Sequence, residues 1–328
     1  MVKTGGRQVN IGLGIEATAG TAVAETIFLP WSAFSMQAVS EKAMFNSARG
    51  IRNMASNSMI RRKYAQGSLG AILNVENAPY LFGMALGSVA TALASGETAV
   101  WEHTITVQNA NASMKTATLT VEQGAVETTQ YTNVVVDSLN VEVSDGYATI
   151  TAELIGQFPG TDTITESYTT ETEMAYHNYT AKFGTTVANA ISGSATPLKS
   201  FSLNIANNVQ LDEAFLSGAN TVTSGGLIAG PMQITGSYSL HFEDTTELAK
   251  YKANTKNAMV VSFTGASIGV AETEEVSIRL GRLVLTSPPV EYNIDGLLVL
   301  NQEFEVEYEA TDKEVTVIVT NEANGTNY

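Results

Sequence analysis

The sequence predicts a mainly β, antiparallel protein made of two similar units, each with a short flanking α-helix. Two observations carry this: apolar and polar residues alternate with period two, and one order of elements occurs twice along the chain. Alternation is plain in Thr118-Leu119-Thr120-Val121-Glu122, Leu139-Asn140-Val141-Glu142-Val143, Phe201-Ser202-Leu203-Asn204-Ile205 and Phe304-Glu305-Val306-Glu307-Tyr308. Successive side chains of a strand face opposite sides, so each run reads as a half-buried strand. Threonine and valine enrichment agrees. Asp145-Gly146 and Asp295-Gly296 each separate two such runs, and Asp-Gly suits the positive φ angles of a tight hairpin.

Helical signals are few. Asn77-Ala78-Pro79 opens one short helix through Leu81 and Met84, with Asn as the expected cap and Pro in the first turn. Asp244-Thr245-Thr246-Glu247 opens another, with Glu247 placed for a capping box and Leu248 and Tyr251 on its inner face. Each helix follows a Gly-Ser strand, at Gly67-Ser68-Leu69 and at Gly236-Ser237-Tyr238. After each comes a strand ending near glycine, Ala117 to Gly124 and Met259 to Gly265, and then an Asp-Gly hairpin. A longer connection in the first copy, Gly87 to Lys115, accounts for the unequal spacing. The expected division is a first unit over 1–160, a linker over 161–197 with strand character around Tyr176 to Phe183, and a second unit over 198–328. Two long excursions precede the Gly-Ser strands, a basic arm over 41–66 and a glycine-rich arm over 211–231. Long segments of this kind in a compact protein are usually functional, and a matched pair suggests arms that reach a neighbour.

Composition narrows the function. With 44% hydrophobic and 15% charged residues the chain is a folded, lightly charged protein. The net charge of −16 disfavours stable nucleic-acid binding, which needs basic patches to displace counterions. It suits either plain solubility or a wall past which DNA slides. There are no cysteines, so disulfides, thiolate catalysis and cysteine-ligated metals are excluded. The opening MVKTGGRQVN lacks the apolar core of a signal peptide, and no apolar run is long enough to span a membrane as a helix, so folding in the cytoplasm is expected. The sequons at Asn111, Asn178 and Asn324 then carry no weight.

Catalytic signatures are missing. His103, His177 and His241 stand far apart without helical ligand spacing, and Gly12-Leu13-Gly14 lacks the third glycine of a dinucleotide loop. Acidic pairs such as Glu171 and Glu173, or Glu274 and Glu275, read as solvated faces. No catalytic, cofactor or metal residue is expected, and the chain is expected not to be an enzyme.

Charge distribution is more informative. Residues 1–63 hold eight basic and three acidic side chains, a net of +5, whereas the rest hold nine basic and thirty acidic, a net of −21. Lys42, Arg49, Arg52, Arg61, Arg62 and Lys63 concentrate the positive charge in the first arm. Such an arm can dock on the acidic body of another copy, with Asp212 and Glu213 of the second arm as candidate partners. It can also be a solvated edge, bind nucleic acid, or pair within its own chain. Head-to-tail docking makes rings or filaments.

The segment Gly12 to Val23, followed by Phe28-Leu29-Pro30, resembles the opening of tail tube proteins of long-tailed bacteriophages and prophages, the major tail protein family. The shared G-x-E-x-x-x-G-T-x-V pattern is carried by Gly14, Glu16, Gly20, Thr21 and Val23. Ser202 to Asn208 and the closing strand Phe304 to Tyr308 are similar to the same family. The unusually basic arm and the long 87–115 connection are departures. The resemblance implies two similar β-sandwich or barrel tail-tube-like domains, each flanked by a short α-helix, assembled into stacked rings with strands of adjacent subunits joined in an inner barrel. It implies a virion tail protein, made in the host cytoplasm, whose partners are other copies of itself, tail terminator, tape measure and baseplate proteins, with DNA only as passing cargo. Two units per chain would give a homotrimeric, pseudo-hexameric ring; one unit would require a hexamer. The alternative is a capsid-decoration or other virion or surface β protein that forms no tube.

Overall fold

Strands dominate because the chain repeats the period-two pattern nearly end to end, and the long ones exceed what one partner can cover. The computed structural model describes all residues except 1–4, 47–49, 51, 53–56, 109–113, 125, 145, 170–171, 216–219, 224, 243–244, 288–289, 292–297 and 326–327. The first half runs β1 (Val9–Ile15), β2 (Ile27–Phe28), β3 (Ala33–Phe34), β4 (Gln37–Phe45), β5 (Asn57–Ile72), α1 (Ala78–Leu86), β6 (Gly87–Leu93), β7 (Trp101–Val107), β8 (Ala117–Gln123), β9 (Thr128–Val143), β10 (Thr149–Gly156) and β11 (Gly160–Thr161). The second runs β12 (Tyr179–Gly184), α2 (Val187–Ser192), β13 (Ala195–Thr196), β14 (Ser200–Ala206), β15 (Gln233–His241), α3 (Thr246–Ala253), β16 (Asn257–Ile268), β17 (Glu272–Leu285), β18 (Val290–Glu291), β19 (Val299–Val306) and β20 (Val315–Asn321). The mainly β expectation holds.

One pairing scheme occurs twice, all antiparallel. In the first half β1 pairs β8, β8 pairs β9, β9 pairs β10, β10 pairs β5, and β5 pairs β3 and β4. In the second half β12 pairs β16, β16 pairs β17, β17 pairs β19, β19 pairs β15, and β15 pairs β14. The trailing strands match too, β11 on β9 and β20 on β17. The halves join through β9 and β14, where Phe201 lies opposite Val143 and Ser202 opposite Glu142. Strand β12 arises from the stretch singled out around Tyr176 to Phe183, inside the segment expected as a linker.

The core is one apolar cluster that draws on both halves, including Leu13, Leu69, Phe82, Leu139, Phe201, Phe263, Ile278 and Phe304. Helix α1 is buried along its whole length, as an all-round apolar helix must be. Gly87, at φ +94°, ends it in a conformation open to glycine.

Several local expectations need correction. Asn77 makes no side-chain cap; instead Asn74 Oδ1 accepts from the backbone N–H groups of Glu76 and Asn77, starting the turn earlier. Glu247 forms no capping box, because its carboxylate accepts from the Tyr238 hydroxyl at 2.9 Å and from Lys250 at 2.6 Å. Leu248 and Tyr251 are half-buried rather than buried. The 87–115 connection holds a β-hairpin, β6 and β7, that lies along β20. The basic arm is the paired hairpin β4–β5, not a loop. Asp145 and Asp295-Gly296 lie outside the described residues; the β9–β10 ladder closes at Glu142 opposite Thr149, with six residues between them.

Candidate assembly surface

The motif at the start of the chain builds a buried knot. Gly14 lies in β1 under the returning segment 21–26, and a Cβ there would fall 2.4 Å from the carbonyl oxygen of Ala24 and 3.1 Å from Val23 Cγ2. Only glycine permits that approach. Glu16 follows β1 and is 8% exposed. Its Oε2 accepts from the Gly20 N–H at 2.7 Å and the Thr116 hydroxyl at 2.8 Å. Its Oε1 accepts from the Thr118 hydroxyl and the Asn133 N–H, both at 2.9 Å. Gly20 turns at φ +77° to present its N–H, and Asn133 does so at φ +53°, where β8 and β9 shift register. Asparagine tolerates that left-handed region better than most residues. Thr21 closes the turn through its N–H to Thr18, and the Val23 N–H reaches Thr118 Oγ1 at 3.2 Å. A buried carboxylate with four donors is satisfied and rigid.

The basic arm divides into inward and outward charges. Arg61 pairs with Glu41 across its own hairpin at 3.2 Å. Arg62 pairs with Asp212 of the second arm and stacks 4.7 Å from the Phe215 ring centre. Lys63 sits 5.2 Å from the Phe158 ring centre, and its backbone N–H donates to Asn220. The described part of the second arm therefore lies against its own chain, where Tyr64, Val135, Ala214, Val222 and Leu227 form a small apolar cluster. Of the expected contact residues, Arg62 and Asp212 come together within one chain. Lys42, Arg52 and Glu213 are exposed, and Arg49 lies outside the described residues. The hairpin also exposes Met44 at 63% and Met59 at 53%, apolar surface far from the core.

An open edge went unnoticed in the sequence. Strands β3 and β4 pair with β5 on one side, and among the described residues no strand pairs with their other side. Their counterpart β14 is flanked on both sides, by β15 and β9. The matching Phe34-Ser35 and Phe201-Ser202 were the available signal.

Among the described residues no cluster of His, Asp and Glu has metal-binding geometry, and no helix is long and apolar enough to cross a membrane. His103 is fully buried between Thr91 Oγ1 and Asn321 Oδ1, each at 2.9 Å, and its ring packs edge-on against Tyr328. Burial pulls its pKa down, only partly opposed by the Asn321 hydrogen bond.

No curated protein matches the chain. A family model described as phage tail tube protein matches residues 6–306. That span takes in the Glu16 knot, the β4–β5 arm, the joint between halves and the strands of both halves up to β19, so the chain belongs to the phage tail tube protein family.

Proposed function

We propose that three copies of this chain close a ring of six like units, and that the rings stack into the hollow tail tube through which DNA passes. The structural role in a phage tail follows from family membership, and the family is a structural one rather than an enzyme family. The observation that carries the finer reading is the doubled pairing scheme, with the β9–β14 joint between its halves. In this reading the two units are those expected from the sequence, with β12 joined to the second. A chain holding two units needs three copies where a single-unit chain needs six. The net charge of −16 favours passage of DNA without adhesion. The outward part of the basic arm, with Lys42, Arg52 and the half-screened Arg61, is suited to contact the acidic body of the next ring. Tail terminator, tape measure and baseplate proteins would meet the tube at its ends and in its lumen, in a virion tail made in the host cytoplasm.

Negative-stain microscopy of the concentrated protein tests this. Hollow tubes or rings with three-fold or pseudo-six-fold symmetry down the axis are expected. Rings of six whole chains would overturn the trimer, and monomers that coat a capsid without forming tubes would favour a decoration protein.

A further inference from the structure

We infer that Asn324-Gly325 is a self-modification site: the Asn324 side chain closes on the Gly325 nitrogen, and the isoaspartate this leaves releases the lock that Gly325 and Tyr328 form over His103.

The reaction needs an unobstructed and untied Asn-Gly step. That dipeptide occurs at no other place in the 328 residues. Ring closure requires the side-chain amide carbon to reach the next backbone nitrogen, and glycine has no Cβ to stand in the way. Asn324 is exposed and lies outside any strand, just beyond β20. Among the described residues no hydrogen bond engages its side-chain amide or the Gly325 N–H. Asn57-Ser58 offers a contrast, because its backbone is held in the β4–β5 ladder opposite Phe45 and Met44.

The step is redox-neutral. The Gly325 nitrogen bonds to Asn324 Cγ, the bond from Cγ to the amide nitrogen breaks, and the Gly325 proton passes through water to the departing group, which leaves as ammonia. Water then opens the succinimide. Cleavage at Cγ–N returns aspartate on an unchanged backbone. Cleavage at the original peptide C–N bond leaves isoaspartate, whose main chain runs through Cβ and Cγ and is one atom longer.

That longer main chain does not fit where Gly325 lies. Gly325 adopts φ +52°, and a Cβ built on it would fall 2.4 Å from His103 Cε1 and 2.5 Å from Tyr328 Cε2. Tyr328 packs edge-on against His103 and Tyr80, with ring centres 4.6 Å and 4.7 Å away, and its carbonyl accepts from Lys115 Nζ at 2.8 Å. On the other side Asn321 is fixed: its Oδ1 accepts from His103 Nε2 and the Ala323 N–H, and its Nδ2 donates to the Val75 carbonyl. An added atom between these two anchors must be taken up by movement of Gly325, and the packed rings leave it no room. The same packing keeps His103 at 0% exposure.

Purified protein aged at mildly alkaline pH tests both parts. Peptide mapping should find the mass gain of an amide-to-acid conversion in the peptide that follows Lys313. Fragmentation should place it at Asn324, and isoaspartyl methyltransferase should label it. Diethylpyrocarbonate, which acylates accessible imidazoles, should modify His103 in proportion to the isoaspartate formed, with the exposed His177 and His241 as reference. Asn324→Gln, whose longer side chain closes this ring poorly, should show neither change. Asn324→Asp, which adds the charge without lengthening the main chain, should keep His103 protected when fresh. Asn324 that stays an amide over the time in which the unfolded chain converts would overturn the site. Conversion that leaves His103 as protected as in fresh protein would overturn the release, as would equal exposure of His103 in aged Asn324→Gln.

Discussion

Replacing Glu16 with alanine should destabilise the chain more than any exposed charge substitution in the basic arm. The carboxylate takes four hydrogen bonds, two of them from the backbone N–H groups of Gly20 and Asn133. The hydroxyls of Thr116 and Thr118 can rotate toward other acceptors, but the two N–H groups are fixed by their backbone. Leaving a buried donor unsatisfied costs about 1–3 kcal/mol, and bonds to a charged acceptor lie at the upper end. With a small cavity added, the expected loss is about 3–5 kcal/mol. Glu16→Gln keeps one oxygen but turns an NH2 group toward the donors on the other side, so about half that loss is expected. Urea unfolding followed by tryptophan fluorescence measures it, and at a slope of about 3 kcal/mol/M the alanine midpoint should fall by roughly 1–1.7 M. A double-mutant cycle with Thr118→Val should show coupling, because the two side chains share a bond of 2.9 Å. A Glu16→Ala protein within about 0.5 kcal/mol of the parent, the range of ordinary surface changes, would refute the view that the motif is a structural knot.

Charge reversal at Lys42, Arg52 and Arg61 should shorten or abolish tubes while leaving the unfolding midpoint of the monomer nearly unchanged; unaltered tube yield by microscopy would remove the arm from ring contacts. Arg62→Ala and Asp212→Ala should each cost less than about 1 kcal/mol through the ion pair itself, since Asp212 is 80% exposed, with Arg62→Ala the larger because it also loses the Phe215 contact; equal losses in urea unfolding would argue against the stacking contribution. His103 is held neutral by burial, below its ordinary value of 6.5. The unfolded chain therefore binds a proton first as pH falls, and stability should decline from about pH 6.5 downward. His103→Gln should flatten that limb of the stability–pH curve, and an unchanged slope would show that other groups produce it.

Much of this was legible in the sequence because it depends on local physics. Period-two alternation sets which side of a strand is buried, and it located most of the long strands. Positive-φ glycines and short helices follow from residue type, and the order of elements exposed the repetition. The N-terminal pattern also pointed to the family, since Gly14, Glu16 and Gly20 are each needed for a specific backbone approach or hydrogen bond. What was misread depended on distant partners. Residues 41–66 looked like an excursion and 87–115 like a plain connection because half-exposed hairpins carry little apolar contrast. Asn77 and Glu247 had the right types for caps, but Asn74 and the Tyr238 hydroxyl offered competing bonds.

Residue type and periodicity, then, determined by themselves the mainly β class, the repeated order and the absence of cysteine chemistry. Only the tertiary structure decided that Arg62 meets Asp212 within one chain, that Glu16 gathers donors from three separated segments, and that β14 is covered on the edge where β3 and β4 are open. The physical reason is that strand pairing joins residues remote along the chain. Alternation fixes which face of a strand is buried, but which edge meets which is settled only when the whole sheet closes.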